Sequence, residues 1–188
     1  MRKIVLTFGL IAGAIMSVMM LITLPYHDEI GFDKALIVGY TTMVLSFLMV
    51  FFGVRSYRDN VAGGAVTFGR SLAVGLMITA VASVCYVATW ELVGQRLAPD
   101  YFEKYAVYEV DKMRKSGASE TDVAAKTKEM KEFNEMYKNP LINIAYTLLE
   151  PLPVGLLFTL VTAGVLSRKR RPKGNEAGDF SPAPSRNL

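Results

Sequence analysis

At 188 residues the chain has room for one modest domain. Apolar residues make up 52% and charged residues 20%, but they are segregated into long uncharged runs and charged blocks, which argues against a soluble domain of mixed amphipathic elements. The net charge of +4 comes mostly from the C-terminal tail, without basic residues interleaved with aromatics, so no nucleic-acid partner is expected.

A hydrocarbon core about 30 Å thick requires roughly 20 apolar residues in a helix. The first run of that length covers about residues 4–24 and contains no charge. Arg2 and Lys3 precede it, as in a secretory signal, but it is longer than a signal core and ends in Leu24-Pro25-Tyr26, a poor cleavage site. It is therefore expected to be a retained helix. The connection that follows, His27-Asp28-Glu29 and then Asp33-Lys34, is net acidic. Its acidic residues and His27 could gather a metal ion. A solvated connection is the simpler reading, and no metal ligand is predicted.

The second run spans about 35–54 and ends at Arg55. The connection after it, Ser56 through Arg70, holds Asp59-Asn60 and Gly63-Gly64, both turn formers, and reads as a small surface hairpin. No Lys-Ser or Lys-Thr follows the glycine pair, so it is not a phosphate loop. The third run covers about 71–90 and contains the sole cysteine, Cys85, read as a small packing residue. Trp90 then marks a membrane interface, with Glu91 solvated beside it.

Between the third and fourth runs lies a polar stretch, 95–139. Residues 99–116 carry Phe102, Tyr105, Ala106, Val110 and Met113 at helical spacing, with Pro99 suited to a first turn and Gly117 to a C-terminal stop. Ser119 and Asp122 have the capping-box spacing, and the helix they open places Val123, Thr127, Met130, Phe133 and Tyr137 on one face. Two amphipathic helices joined by a short turn form an antiparallel hairpin. Its apolar stripes either pack on each other or dock a partner; Tyr101, Phe102, Tyr105, Phe133 and Tyr137 are the candidate contacts.

Asn139-Pro140 opens the fourth run, about 141–166. Midway along it stands Glu150, followed by Pro151-Leu152-Pro153. A central ionised side chain costs about 3 kcal/mol on insertion scales, so such carboxylates pair or protonate. Each proline removes a backbone donor, which predicts a kink or short unwound stretch with freed carbonyls near Tyr146 and Leu149. Glu150 is then either part of a proton or cation site, with Pro151, Pro153 and a possible second carboxylate from Glu91, or a structural residue bonded within the bundle.

Small residues recur every fourth position at Gly9, Gly13 and Ser17, at Gly75, Thr79 and Ser83, and at Gly155, Thr159 and Ala163. Such stripes let backbones approach closely, within one bundle or between two copies. Basic flanks at Arg2-Lys3, at Arg55, Arg58 and Arg70, and at Arg168 through Arg171 predict that both termini face the cytoplasm and that residues 95–139 lie on the opposite side. The tail, 172–188, is rich in Pro, Gly, Ser and Asn and reads as disordered and cytoplasmic. There is no His-Glu-x-x-His and no Gly-x-Ser-x-Gly, so no catalytic residue and no cofactor are predicted.

Several separated segments together resemble a bacterial family, domain of unknown function 4199. They are Ser56-Tyr57-Arg58-Asp59-Asn60 with Gly63-Gly64 and Phe68-Gly69, then Lys115 through Glu120, Met136-Tyr137-Lys138-Asn139-Pro140, and Glu150 through Gly155. The resemblance implies a four-helix membrane protein without an assigned activity, and only the tail after Arg171 departs from it. The expectation is an all-α polytopic protein of the bacterial inner membrane. Its function is read as that of a binding or accessory subunit of an envelope complex, acting through the hairpin. The alternative is an oligomeric small transporter, or a proton- or cation-coupled channel, centred on Glu150. Expected partners are the lipid bilayer, a membrane or envelope protein, and a second copy of the chain.

Overall fold

The computed structural model describes residues 1–167, all helices and turns. The basic cluster from Arg168 onward and the tail 172–188 lie outside the described residues. The chain runs α1 (Arg2–Thr23), a single 3-10 turn (Leu24–Tyr26), α2 (His27–Ile30), α3 (Phe32–Asn60) and α4 (Phe68–Thr89). A π-helical turn (Trp90–Gly94) and the short α5 (Gln95–Leu97) lead to α6 (Tyr101–Lys115), α7 (Glu120–Tyr137), α8 (Pro140–Leu149) and α9 (Pro151–Leu166). Four helical stretches are long and apolar enough to cross a membrane: Arg2–Ile30, Phe32–Asn60, Phe68–Leu97 and Pro140–Leu166.

Their surfaces are inverted relative to a soluble bundle. Leu6, Leu10, Ile37, Leu45, Val84, Leu157 and Val161 are exposed, while Ser46, Thr79, Ser83, Thr159 and Thr162 are buried between the helices. An apolar exterior of this extent suits lipid, where hydroxyls and small residues take over helix association. The three small-residue stripes all turn inward. Gly9 and Gly13 of α1 press on Val81 and Cys85 of α4, leaving no room for a Cβ, and Thr89 donates to the Ser17 hydroxyl at 2.7 Å. Gly75 lies under Thr159 and Gly155 under Thr79, and the two threonine hydroxyls are 3.2 Å apart. Hydrogen bonds of this kind contribute on the order of 0.6 kcal/mol each in membranes, so close van der Waals packing does most of the holding.

The second span reaches further than its apolar run. α3 continues through Tyr57 to Asn60, where Gly63 and Gly64 take positive φ of 68° and 89° and the Gly64 amide donates to Arg58 O. The expected surface hairpin is thus a helix-ending turn, because Tyr57 is buried against the core and carries the helix past Arg55. Thr67 then caps α4 by accepting from the Arg70 amide.

α6 starts at Tyr101, after Pro99, and ends in a Schellman motif: Ala118 N–H donates to Met113 O and Gly117 N–H to Arg114 O, with Gly117 at φ 81°. Ser119 caps α7 by accepting from the Asp122 amide, and Asn139 caps α8 by accepting from the Leu141 amide. The fourth span is broken at Glu150, the junction of α8 and α9, since Pro151 has no amide hydrogen for Thr147 O and Pro153 none for Leu149 O. After the break α9 packs on both α3 and α4; before it, α8 leans on α4 and α7. The space left between α8 and α3 is where the candidate site forms.

Candidate functional site: a cavity around Glu150

The cavity has a volume of about 400 Å³, within the usual range of roughly 300–1,000 Å³ for small-molecule sites. α1 contributes Met16, Met19 and Met20 to its wall, and α3 adds Met43, Thr42, Gly39 and Tyr40. Methionines make a soft, polarizable wall that adapts to a guest. α8 supplies Tyr146 and Thr147, the end of α4 Tyr86 and the π-turn Trp90, with Glu150 at the helix break. Tyr101, Phe102 and Tyr105 of α6 and Phe133 and Tyr137 of α7 close it.

The structure therefore joins two sets of residues that the sequence keeps separate. The hairpin aromatics proposed as partner contacts line the same cavity as the intramembrane carboxylate. Pro151 is fully buried directly behind it, and Pro153 lies on the exposed side of α9. Glu91 stays outside the cavity, on the π-turn, where its Oε2 accepts from Gln95 at 2.9 Å and its Oε1 is buried without a partner among the described residues. Glu150 instead meets Tyr86, whose hydroxyl donates to Oε2 at 2.8 Å. Glu150 is exposed and lines the cavity.

A second polar chain runs along the wall. The Trp90 indole N–H donates to Asn143 Oδ1 at 3.1 Å, and the Thr147 hydroxyl donates to the same oxygen at 3.2 Å. The Tyr137 hydroxyl lies 3.1 Å from Thr147 Oγ1 and, with that proton already given, donates to it. Trp90 is thus tied into the bundle rather than left facing lipid. It is buried beneath Tyr101 and Phe102, at centroid distances of 5.8 and 5.7 Å, with Gly94 lacking a Cβ so that the ring can lie on it. Burial raises the Tyr101 phenol to about 12, with the Glu150 carboxylate adding to the effect. Burial also raises Tyr137.

His27, expected in a solvated connection, is buried. Its Nδ1 lies 2.8 Å from Leu24 O and must donate there, since a carbonyl only accepts; its ring packs against Tyr101 and Phe32. Phe32 in turn meets Tyr101, Tyr105 and Tyr108 at 5.5, 5.4 and 5.1 Å. Around this aromatic seam Lys104 binds Asp28 at 2.5 Å and Asp100 at 2.9 Å, while Lys112 binds Asp33 at 2.8 Å. These bonds raise both lysines, and the Lys104 bond lowers Asp100. Among the described residues no three His, Cys, Asp or Glu side chains come together to hold a metal.

Tyr86, Asn143 and Thr147 escaped the sequence reading. Each sits within an apolar run, and a lone hydroxyl or amide there has no sequence neighbour to reveal its partner. The one available signal was helical spacing: Asn143, Thr147 and Glu150 fall on one face of α8. No curated protein and no solved structure matches the chain. A family model described as Protein of unknown function (DUF4199) matches residues 7–168. That span takes in every residue of the cavity wall, and the chain belongs to this family.

Proposed function

We propose that this protein is a membrane-embedded binding protein that receives a small amphipathic solute in the cavity between α3, α8 and the α6–α7 pair. The observation that carries this reading is the position of Glu150, at a proline-broken helix and on the wall of a cavity rich in methionine and aromatic side chains. Convergence of a few polar groups in an apolar pocket is the usual form of a ligand site. The basic flanks support placing the protein in the cytoplasmic membrane with both termini inside, which puts α6 and α7 on the outer side.

Gly39 offers a direct test, because it lines the cavity and a Cβ added there meets nothing within 4 Å. Gly39→Phe should fill the cavity without disturbing the fold. Native mass spectrometry of the full chain, extracted with its membrane lipids, should find a small-molecule adduct on the wild type and its loss in the variant. An adduct unchanged in Gly39→Phe, or none on either protein, overturns the reading.

A second reading, proton- or cation-coupled transport by an oligomer, is favoured by the helix break itself, since broken spans present carbonyls and carboxylates to ions. Proton flux into pyranine-loaded liposomes that disappears in a folded Glu150→Gln variant supports it, and equal flux in both proteins removes it. An accessory role in an envelope complex would draw on the hairpin aromatics, the side chains that line the cavity.

A further inference from the structure

The lining carries an electrostatic signature that narrows the ligand. Among the described residues Glu150 is its one carboxylate, neither lysine nor arginine lines it, and the one basic ring, His27, gives its Nδ1 proton to Leu24 O. Lys104 and Lys112 are engaged with Asp28 and Asp33 beyond the Phe32 seam. One carboxylate oxygen takes the Tyr86 proton, and Glu150 Oε1 accepts no hydrogen bond from the described residues. Around it stand aromatic rings from three elements: Tyr86 of α4, Tyr101 of α6 and Tyr137 of α7. A carboxylate held in apolar surroundings takes up either a proton or a counter-charge, and the faces of aromatic rings beside this one attract cations, most strongly when water is excluded.

Resting on the proposed binding role, we infer that the ligand is an organic cation with an apolar body, a quaternary or protonated amine. The ammonium sits between Glu150 Oε1 and the rings of Tyr86, Tyr101 and Tyr137, and the apolar body lies on Met16, Met20 and Met43. An anionic solute meets the Glu150 charge with neither lysine nor arginine among the lining residues to offset it. A neutral apolar solute leaves that carboxylate without a counter-charge.

Trp90 is the only tryptophan and lines the cavity, so its emission reports occupancy. The probes are benzyltrimethylammonium and neopentylbenzene, its neutral isostere in which carbon replaces nitrogen, titrated into the full chain in a mild detergent. The wild type should bind the cation saturably and at least tenfold more tightly than the isostere. Glu150→Gln should erase that preference. Equal binding of the two probes to the wild type sinks the cation assignment and leaves the cavity a ligand site. No saturable change with either probe counts against both the assignment and the binding role. The decisive comparison is made on the wild type, so a misfolded Glu150→Gln does not blunt it.

Discussion

The Tyr86 hydroxyl and Glu150 Oε2 meet at 2.8 Å although 64 residues separate them. Their bond joins α4 to the point where the fourth span breaks. Tyr86→Phe keeps the ring and removes the donor to the carboxylate. A hydrogen bond to a charged group contributes roughly 1.5–3 kcal/mol, so a loss in that range is expected in detergent. Glu150→Gln in the same background should cost less than it does alone. A double-mutant cycle by thermal unfolding checks this; additive losses would mean that the two side chains act independently.

Trp90 and Asn143 make a second link, from the π-turn to α8. Asn143→Leu leaves the indole N–H buried without an acceptor, a cost of about 1–3 kcal/mol. It also strips the Thr147 hydroxyl of its acceptor. The expected result is a lower unfolding midpoint together with a shifted Trp90 emission maximum. An unchanged spectrum would show that the indole has another acceptor.

At Gly155 an added Cβ would overlap Thr79 Cγ2 and come within 2.9 Å of Phe47 Cζ, both side chains being buried. Overpacking costs typically about 1–3 kcal/mol, against about 1 kcal/mol gained in helix propensity over glycine. Gly155→Val should therefore lower stability more than Gly155→Ala. Gly164, whose Cβ would meet nothing within 4 Å, should accept alanine without loss. Size-exclusion thermostability of the three variants orders them directly.

The ion pairs that fasten α6 define a pH window. Lys104 and Lys112 are raised above 10.5, so their contribution is complete below 10.5 and disappears as pH rises through the raised values. Asp33 of α3, bonded to Lys112, is lowered below 3.8, so its contribution is complete above 3.8 and disappears as pH falls through the lowered value. Because Tyr101 and Phe102 cover Trp90, acrylamide quenching of its emission should stay flat between these limits and rise outside them. Lys104→Met should raise quenching at neutral pH. Quenching independent of pH from 3 to 12 would show that the aromatic seam alone holds α6.

Tyr101 should titrate well above the range of a free phenol. A free phenol ionises near 10, and burial holds this one at about 12. Its neutral form contributes stability that is complete below 10 and lost as pH rises through about 12. Absorbance near 295 nm, compared between the wild type and Tyr101→Phe, isolates its step; a step at 10 would place the ring in water.

By itself the sequence determined the features that depend on neighbours along the chain. Uncharged length sets the spanning helices, Ser119 and Asn139 cap helices through bonds to amides two or three residues away, and Gly117 ends α6 because it alone tolerates φ near 81°. The break at Glu150 follows from two amide hydrogens that prolines lack. The tertiary structure decided what each face meets. Helical spacing grouped Phe102 with Tyr105 and Phe133 with Tyr137, but a period identifies a face and says nothing of what covers it. Only the fold turned those faces onto Glu150, buried His27 and Trp90, and gave Tyr86, Asn143 and Thr147 their partners. These contacts join residues dozens of positions apart, so they exist only once packed helices set the distance between them.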